Sequence, residues 1–259
     1  MKSFFNRARK IYQSKEGPIE LPIFYYDLSS VILAYLVDAV AAENLLKGSG
    51  LRPALYGRNQ AMVMLAFFEY RESSIGPYNE VALATMACPE KGKRPVLPLT
   101  DFLRKGRNWR TAAYIHNLPV STAIANAGGR EIWSLPKFVA PISFELKKSG
   151  FRGTVTDAAS KQDILRVEGR SGALGIKNLF HAIDMVFYSI HEGRILKTVV
   201  ETQGRSFYSL GGDFRIALAD SGHEMTENAR ALGLDRRKPA FTIISERLKS
   251  ILPEGTFIE

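Results

Sequence analysis

From about residue 20 onward, short apolar runs alternate with turn residues at the spacing of an all-β or β-rich fold. The clearest strand patterns cover residues 61–70, 81–88, 138–147, 152–158 and 164–168. Others cover 185–190, 194–203, 206–210, 214–218 and 241–251. Segments 148–150, 169–172, 191–193 and 210–213 carry the glycines and small polar residues that antiparallel hairpins require. Helical patterns are fewer. One covers 38–46 and is closed by Gly48; another covers 224–232 and is followed by Gly233. A third covers 120–127, where Val120, Ala123, Ile124 and Ala127 share a face and Gly128 stands at the expected end. Residues 1–20 read as a basic, loosely ordered arm punctuated by Gly17 and Pro18, with 1–17 as its core. No repeat, low-complexity tract or long linker divides the chain, so a single domain over 1–259 is expected.

The longest apolar stretch, 31–42, is interrupted by Asp38 and is too short to span a bilayer. The first residues accumulate charge where a signal peptide would be apolar, and the lone Cys88 has no partner for a disulfide. A cytoplasmic protein with no membrane partner is the expectation. The net charge of +9 raises the question of nucleic acid. The basic residues are scattered, however, with only local clusters at 91–94, 104–110 and 236–238, and neither zinc-finger spacing nor an aromatic RNA-binding signature is present. A solvated basic surface, with no nucleic-acid partner, is the simpler reading.

Several chemistries lack their residues. His116, His181, His191 and His223 are not at metal-ligand spacing and read as surface or satisfied core histidines. No serine sits in a Gly-x-Ser-x-Gly context, and Gly211-Gly212 reads as a turn rather than a phosphate cradle. No cofactor and no metal are expected.

One segment does carry chemistry: Gly129-Arg130-Glu131-Ile132-Trp133-Ser134-Leu135-Pro136-Lys137-Phe138. Lys137 has apolar neighbours on both sides. An amine held away from water is disfavoured as an ammonium, and the neutral amine is the nucleophile that condenses with a ketone. From this context alone the bland reading, a lysine whose stem is covered and whose head reaches water, stays open.

The same run resembles the signature of the acetoacetate decarboxylase family, in which the Pro-Lys supplies a Schiff-base lysine. Ile75-Gly76-Pro77-Tyr78-Asn79-Glu80 resembles the family's glycine-containing segment that ends in an active-site glutamate, and its separation from Lys137 is similar. Weaker similarity extends from about Pro18 to Leu252-Pro253. The resemblance implies an α+β, mainly antiparallel fold: a closed, cone-like β-barrel with a few short helices around an apolar cavity. It also implies a homo-oligomer, a small keto acid as substrate, Lys137 as nucleophile, and Glu80 beside the imine to orient groups or relay protons. Arg130 and Glu131 are expected to pair and brace the loop presenting Lys137, and these two with Trp133 and Phe138 are expected to line the substrate pocket or support the motif.

Three positions depart from the family pattern. Phe138 stands where the well-known decarboxylases have a second lysine. The family's substrate-binding arginine falls near Tyr25-Tyr26, and a second carboxylate falls near Leu65, with Glu69 close by. A missing charge-assisted hydrogen bond weakens carboxylate binding by about 1.5–3 kcal/mol unless Arg58, Arg71 or Arg130 substitutes. The leading expectation is cofactor-independent decarboxylation of a β-keto acid through a lysine imine. A Schiff-base aldolase, dehydratase or hydratase of keto acids comes next, then an inactive binding protein on the same fold.

Overall fold

The computed structural model describes residues 4–173, 175–177 and 184–258; His181 lies outside them. The chain opens with a hairpin of β1 (Lys10–Ser14) and β2 (Gly17–Leu21). It continues through β3 (Ile23–Asp38), helix α1 (Ala39–Leu46), β4 (Leu51–Pro53), β5 (Gln60–Ser73), β6 (Tyr78–Pro89) and β7 (Ala112–Val120). Helix α2 (Ala123–Trp133) leads into β8 (Lys137–Val139). Next come β9 (Ile142–Lys147), β10 (Gly150–Thr156), β11 (Asp163–Ser171) and β12 (Gly175–Lys177). The last part holds β13 (Met185–His191), β14 (Arg194–Leu210), β15 (Gly212–Leu218), α3 (Glu224–Ala231), β16 (Phe241–Leu252) and β17 (Thr256–Phe257).

Seven strands, in the order β6-β5-β3-β16-β14-β13-β7, close into a barrel because β7 returns to pair with β6. The ladder is antiparallel except where β13 meets β7. A separate antiparallel sheet, β15-β11-β10-β9, covers one flank of the barrel. Two cores result. One is the barrel interior, which includes Met62, Ala66, Phe68, Tyr70 and Ala84. The other joins the outward side chains of β3, β5 and β6, such as Leu33, Leu65 and Leu83, to Phe151, Val167 and Phe214 of the second sheet and Met225 of α3.

This double burial explains why β3 was not legible as a strand. Its side chains face a core on both sides, so the run 31–42 loses the period-two alternation that marks a half-buried strand. The helix expected from residue 38 does form, with the Asp38 carboxylate capping Val40 N and Ala41 N. The patterns at 194–203 and 206–210 are one strand bent by a register shift near Arg205. The pattern at 138–147 divides at Ala140-Pro141 into β8 on the barrel and β9 on the second sheet. The N-terminal arm is corrected in its second half: residues 10–21 form the hairpin, and Ile19 and Leu21 are buried. No described helix is long and apolar enough to cross a membrane.

His116, on β7, is a satisfied core histidine. Its Nε2 lies 2.8 Å from Thr85 Oγ1, and burial pushes its imidazole down to about 4 from 6.5. The unfolded chain therefore takes up this proton first as pH falls. The stability involved is complete above pH 6.5 and is lost between there and about pH 4, amounting to roughly 3 kcal/mol. His116→Gln should flatten that dependence, so urea midpoints at pH 7 and pH 5 should differ less in the variant than in the wild type.

Candidate active site

The site is assembled by strand register and one tight turn. Gly76, at φ +87°, turns the chain between β5 and β6, and the resulting register sets Glu80 opposite Phe68 and Tyr78 opposite Tyr70. Alternation along β6 then directs Tyr78, Glu80, Ala82 and Ala84 to the interior.

Lys137 arrives from the other side. Helix α2 does not stop at Gly128, as its sequence pattern implied, but runs through both glycines to Trp133. The reason is close packing rather than chain termination. A Cβ on Gly128 would overlap Cδ1 of Ile19, and one on Gly129 would overlap Cδ and Cε of Lys137. The helix ends at Ser134, which adopts the left-handed conformation at φ 50°, and Pro136 prevents its continuation. β8 then pairs in parallel with β7, placing Lys137 beside Leu118.

Inside the barrel, Lys137 Nζ donates to Glu80 Oε2 at 2.6 Å, with only 5% and 9% of the two residues exposed. Tyr70 donates to the other carboxylate oxygen at 3.3 Å. The hydroxyls of Tyr25 and Tyr78 are 2.9 Å apart, and Lys137 Nζ lies 5.7 Å from the Tyr78 ring centre. Burial raises the phenols of Tyr25, Tyr70 and Tyr78, and the negative charge of Glu80 adds to the effect. All three stay protonated: Tyr70 donates to Glu80, and one of Tyr25 and Tyr78 donates to the other.

The pair does not close off the amine. Lys137 and Glu80 both line a deep cavity whose wall also includes Ala82, Ala84, Ile115 and Leu135. A buried amine, a carboxylate in direct contact and an apolar space beside them allow a carbonyl carbon to reach the nitrogen. Among the described residues no group of histidine, cysteine, aspartate and glutamate is placed to hold a metal.

Arg130, Glu131, Trp133 and Phe138, expected as pocket or motif support, do not line the cavity. Arg130 Nη1 donates to the Lys137 carbonyl at 2.7 Å, and Trp133 Nε1 donates to the Pro253 carbonyl at 3.1 Å. The expected Arg130–Glu131 pair is not formed: Glu131 instead accepts from Lys15 N at 3.4 Å, tying α2 to the N-terminal hairpin. Phe138 points away from the cavity, its ring 5.0 Å from that of His223. None of the three candidate arginines lines the cavity. Arg58 is exposed, Arg71 is held by Asp27 and Glu69, and Arg130 is engaged as above. Leu65 lies in the outer core and Glu69 pairs with Arg71, so neither supplies a second carboxylate. Tyr25 does reach the site, as do Tyr70 and Tyr78, to which sequence reasoning gave no role. The period-two spacing of Phe68 with Tyr70 and of Tyr78 with Glu80 is the signal that could have found them.

This combination defines a class: closed-barrel proteins of a family of decarboxylase-like enzymes, with a lysine–carboxylate pair at one end of an apolar cavity. The family model for acetoacetate decarboxylase matches residues 11–176, and the chain belongs to that family. Among solved structures, the acetoacetate decarboxylase of Legionella pneumophila superposes with a TM-score of 0.63 at 13% identity, over 99% of this chain and 93% of the other. A second acetoacetate decarboxylase gives a TM-score of 0.66 at 15% identity, over 92% and 89%. The enduracididine biosynthesis enzyme MppR, complexed with the condensation product of pyruvate and imidazole 4-carboxaldehyde, gives 0.60 at 13% identity, over 91% and 88%. At such identities the likeness is one of fold. No curated protein matches by sequence.

Removing the amine alone strands a buried carboxylate. Lys137→Met should destabilise the protein by about 3–5 kcal/mol in urea unfolding at neutral pH. Lys137→Met combined with Glu80→Gln should recover most of that loss; an equal loss in both variants would mean that Glu80 does not depend on the pair.

Proposed function

We propose that this protein is a cofactor-independent lyase that forms an imine between Lys137 and a carbonyl substrate, with decarboxylation of a β-keto acid as its leading reaction. The observation that carries this reading is the 2.6 Å contact between Lys137 Nζ and Glu80 Oε2 at the wall of an apolar cavity. Family membership supports it.

In this reading Glu80 takes a proton from the ammonium, freeing the amine lone pair to attack the ketone carbon. The protonated carboxyl then returns a proton to the carbinolamine oxygen, which leaves as water to give the iminium. The bond between the α-carbon and the carboxylate breaks, its electron pair moves into the enamine, and carbon dioxide departs. Glu80, protonated again through the site's hydroxyls or water, delivers a proton to the α-carbon. Water then hydrolyses the iminium to ketone and lysine. The apolar wall favours the central step, because a charged carboxylate becomes neutral carbon dioxide in a poorly solvating space.

A second reading has its own support. Among the described residues the cavity wall contains no arginine, and the position expected for the substrate-binding one falls near Tyr25-Tyr26, of which Tyr25 lines the cavity. Aldol-type cleavage or dehydration through the same imine needs no carboxylate on the substrate. The two readings separate on carbon dioxide release from a substrate that also labels the lysine.

Borohydride reduction in the presence of a keto acid should label Lys137, read by peptide mass spectrometry. Lys137→Arg keeps the positive charge but offers no usable amine, so labelling and turnover should both vanish. Near-normal turnover in that variant would sink the imine mechanism. Gly129→Ala should push the Lys137 stem aside, and a displacement of about 1 Å should lower the labelling rate by roughly a hundredfold.

A further inference from the structure

We infer that the segment from Lys91 to Arg110 docks the protein on an anionic lipid surface. Four aliphatic side chains enter the headgroup layer, and the cations around them meet its negative charge. The inference does not depend on the imine reading.

Two of the three basic clusters in the sequence, 91–94 and 104–110, bracket this segment. Between them Val96, Leu97, Leu99 and Leu103 are 89%, 65%, 56% and 70% exposed. A single exposed aliphatic residue is ordinary, but four within eight residues mark a contact surface.

Their outward position is fixed from beneath. Residues Pro98–Leu103 form a short 3₁₀ helix, which repeats every three residues, and Pro98 and Asp101 are its buried side. The Asp101 carboxylate accepts from Arg110 N and Thr111 N, both at 2.9 Å, and from Thr111 Oγ1 at 2.8 Å. Phe102 packs on Trp109 with ring centres 5.0 Å apart, and both line the candidate active-site cavity. Trp109 Nε1 donates to the Arg104 carbonyl at 3.0 Å, and Gly106 N donates to the Asp184 carboxylate at 2.9 Å. With its inner side held at these points, the segment keeps its four aliphatic side chains in solvent.

Charge selects the occupant. Lys91, Lys93, Arg104, Lys105, Arg107 and Arg110 are exposed, and none forms a salt bridge among the described residues. The one carboxylate within 91–110 is Asp101, whose bonds all lie inside the segment and its continuation. A second copy of this face would set two unneutralised cation clusters against each other. Nucleic acid would neutralise the cations but leave the aliphatic side chains uncovered. An anionic bilayer surface supplies both partners, with charge at the headgroups and acyl chains just beneath. Such docking needs no spanning segment. It departs from the expectation of no membrane partner, which rested on the shortness of the 31–42 run.

The test is flotation of the full chain with phosphatidylcholine vesicles, with and without a minor fraction of phosphatidylserine. The protein should float only with the anionic vesicles, and its affinity should fall as salt is raised. Each Lys or Arg near such a surface is worth about fivefold, so Lys91→Gln with Lys93→Gln should weaken binding about 25-fold. Leu97→Ser with Leu103→Ser should weaken it at least about tenfold. All four positions are exposed, so the urea midpoints should stay at the wild-type value. Arg170→Gln with Arg215→Gln removes the same charge from the exposed face of the second sheet and should change binding little. An equal loss in that control would mean that net charge alone is at work, and would overturn the inference. Absence of flotation with either vesicle, or equal flotation with both, would overturn it as well. Two further outcomes would replace it. If the wild type does not float and the leucine variant has a lower mass in light scattering, the surface joins copies of this chain. If the wild type does not float but binds duplex DNA, and the leucine changes leave that binding intact, the cations serve nucleic acid.

Discussion

The site depends on keeping one ion pair out of water. Lys137 and Glu80 come from segments far apart in the chain and meet inside a barrel whose closure, β7 onto β6, is also what brings their two strands together. Desolvation strengthens their attraction and makes each dependent on the other, so neither charge is stable there alone. In the proposed reaction this 2.6 Å contact is where the proton passes from nitrogen to oxygen, exchanging two buried charges for two neutral groups. Under that proposal stability and reactivity share one contact.

Positioning that contact explains much of the surrounding sequence. Gly129 is small because the lysine stem passes over it, and Gly128 because Ile19 of the N-terminal hairpin packs there. Arg130 and Trp133 anchor the ends of the same turn through backbone carbonyls of Lys137 and Pro253. The signature segment is therefore mostly scaffold. One of its side chains reaches the cavity chemistry, and its neighbours fix where that side chain starts.

The segments that bring the lysine and the glutamate together, and the strand-rich character, each leave a local mark: a motif, a turn glycine, or alternation between apolar and polar positions. β3 left no such mark, since burial on both faces removes the alternation. The helical pattern ends at Gly128, short of the true end of α2 at Trp133, because a glycine required for close packing looks the same in sequence as one that ends a helix. The pairing of Arg130 with Glu131 failed for a related reason. Adjacent opposite charges on a helix point in different directions, and each found a backbone partner instead. The tyrosines escaped notice because their importance comes from register across three strands, β3, β5 and β6, which no single segment encodes.

Those tyrosines bear on how the carboxylate of the proposed keto-acid substrate would be received. Where a guanidinium would fix the carboxylate and also stabilise its charge, this chain offers neutral donors. Tyr25 and Tyr78 are protonated phenols, and Ser250, paired in register with Tyr25, has a buried hydroxyl with no partner among the described residues. Neutral donors orient an anion while stabilising it less than a cation does. In the proposed decarboxylation, binding would be weaker for that reason, but the charge lost on release of carbon dioxide would be less costly to give up. Such an exchange is viable when affinity comes from elsewhere on the substrate, as apolar contact with the alanine-lined wall of the barrel would provide.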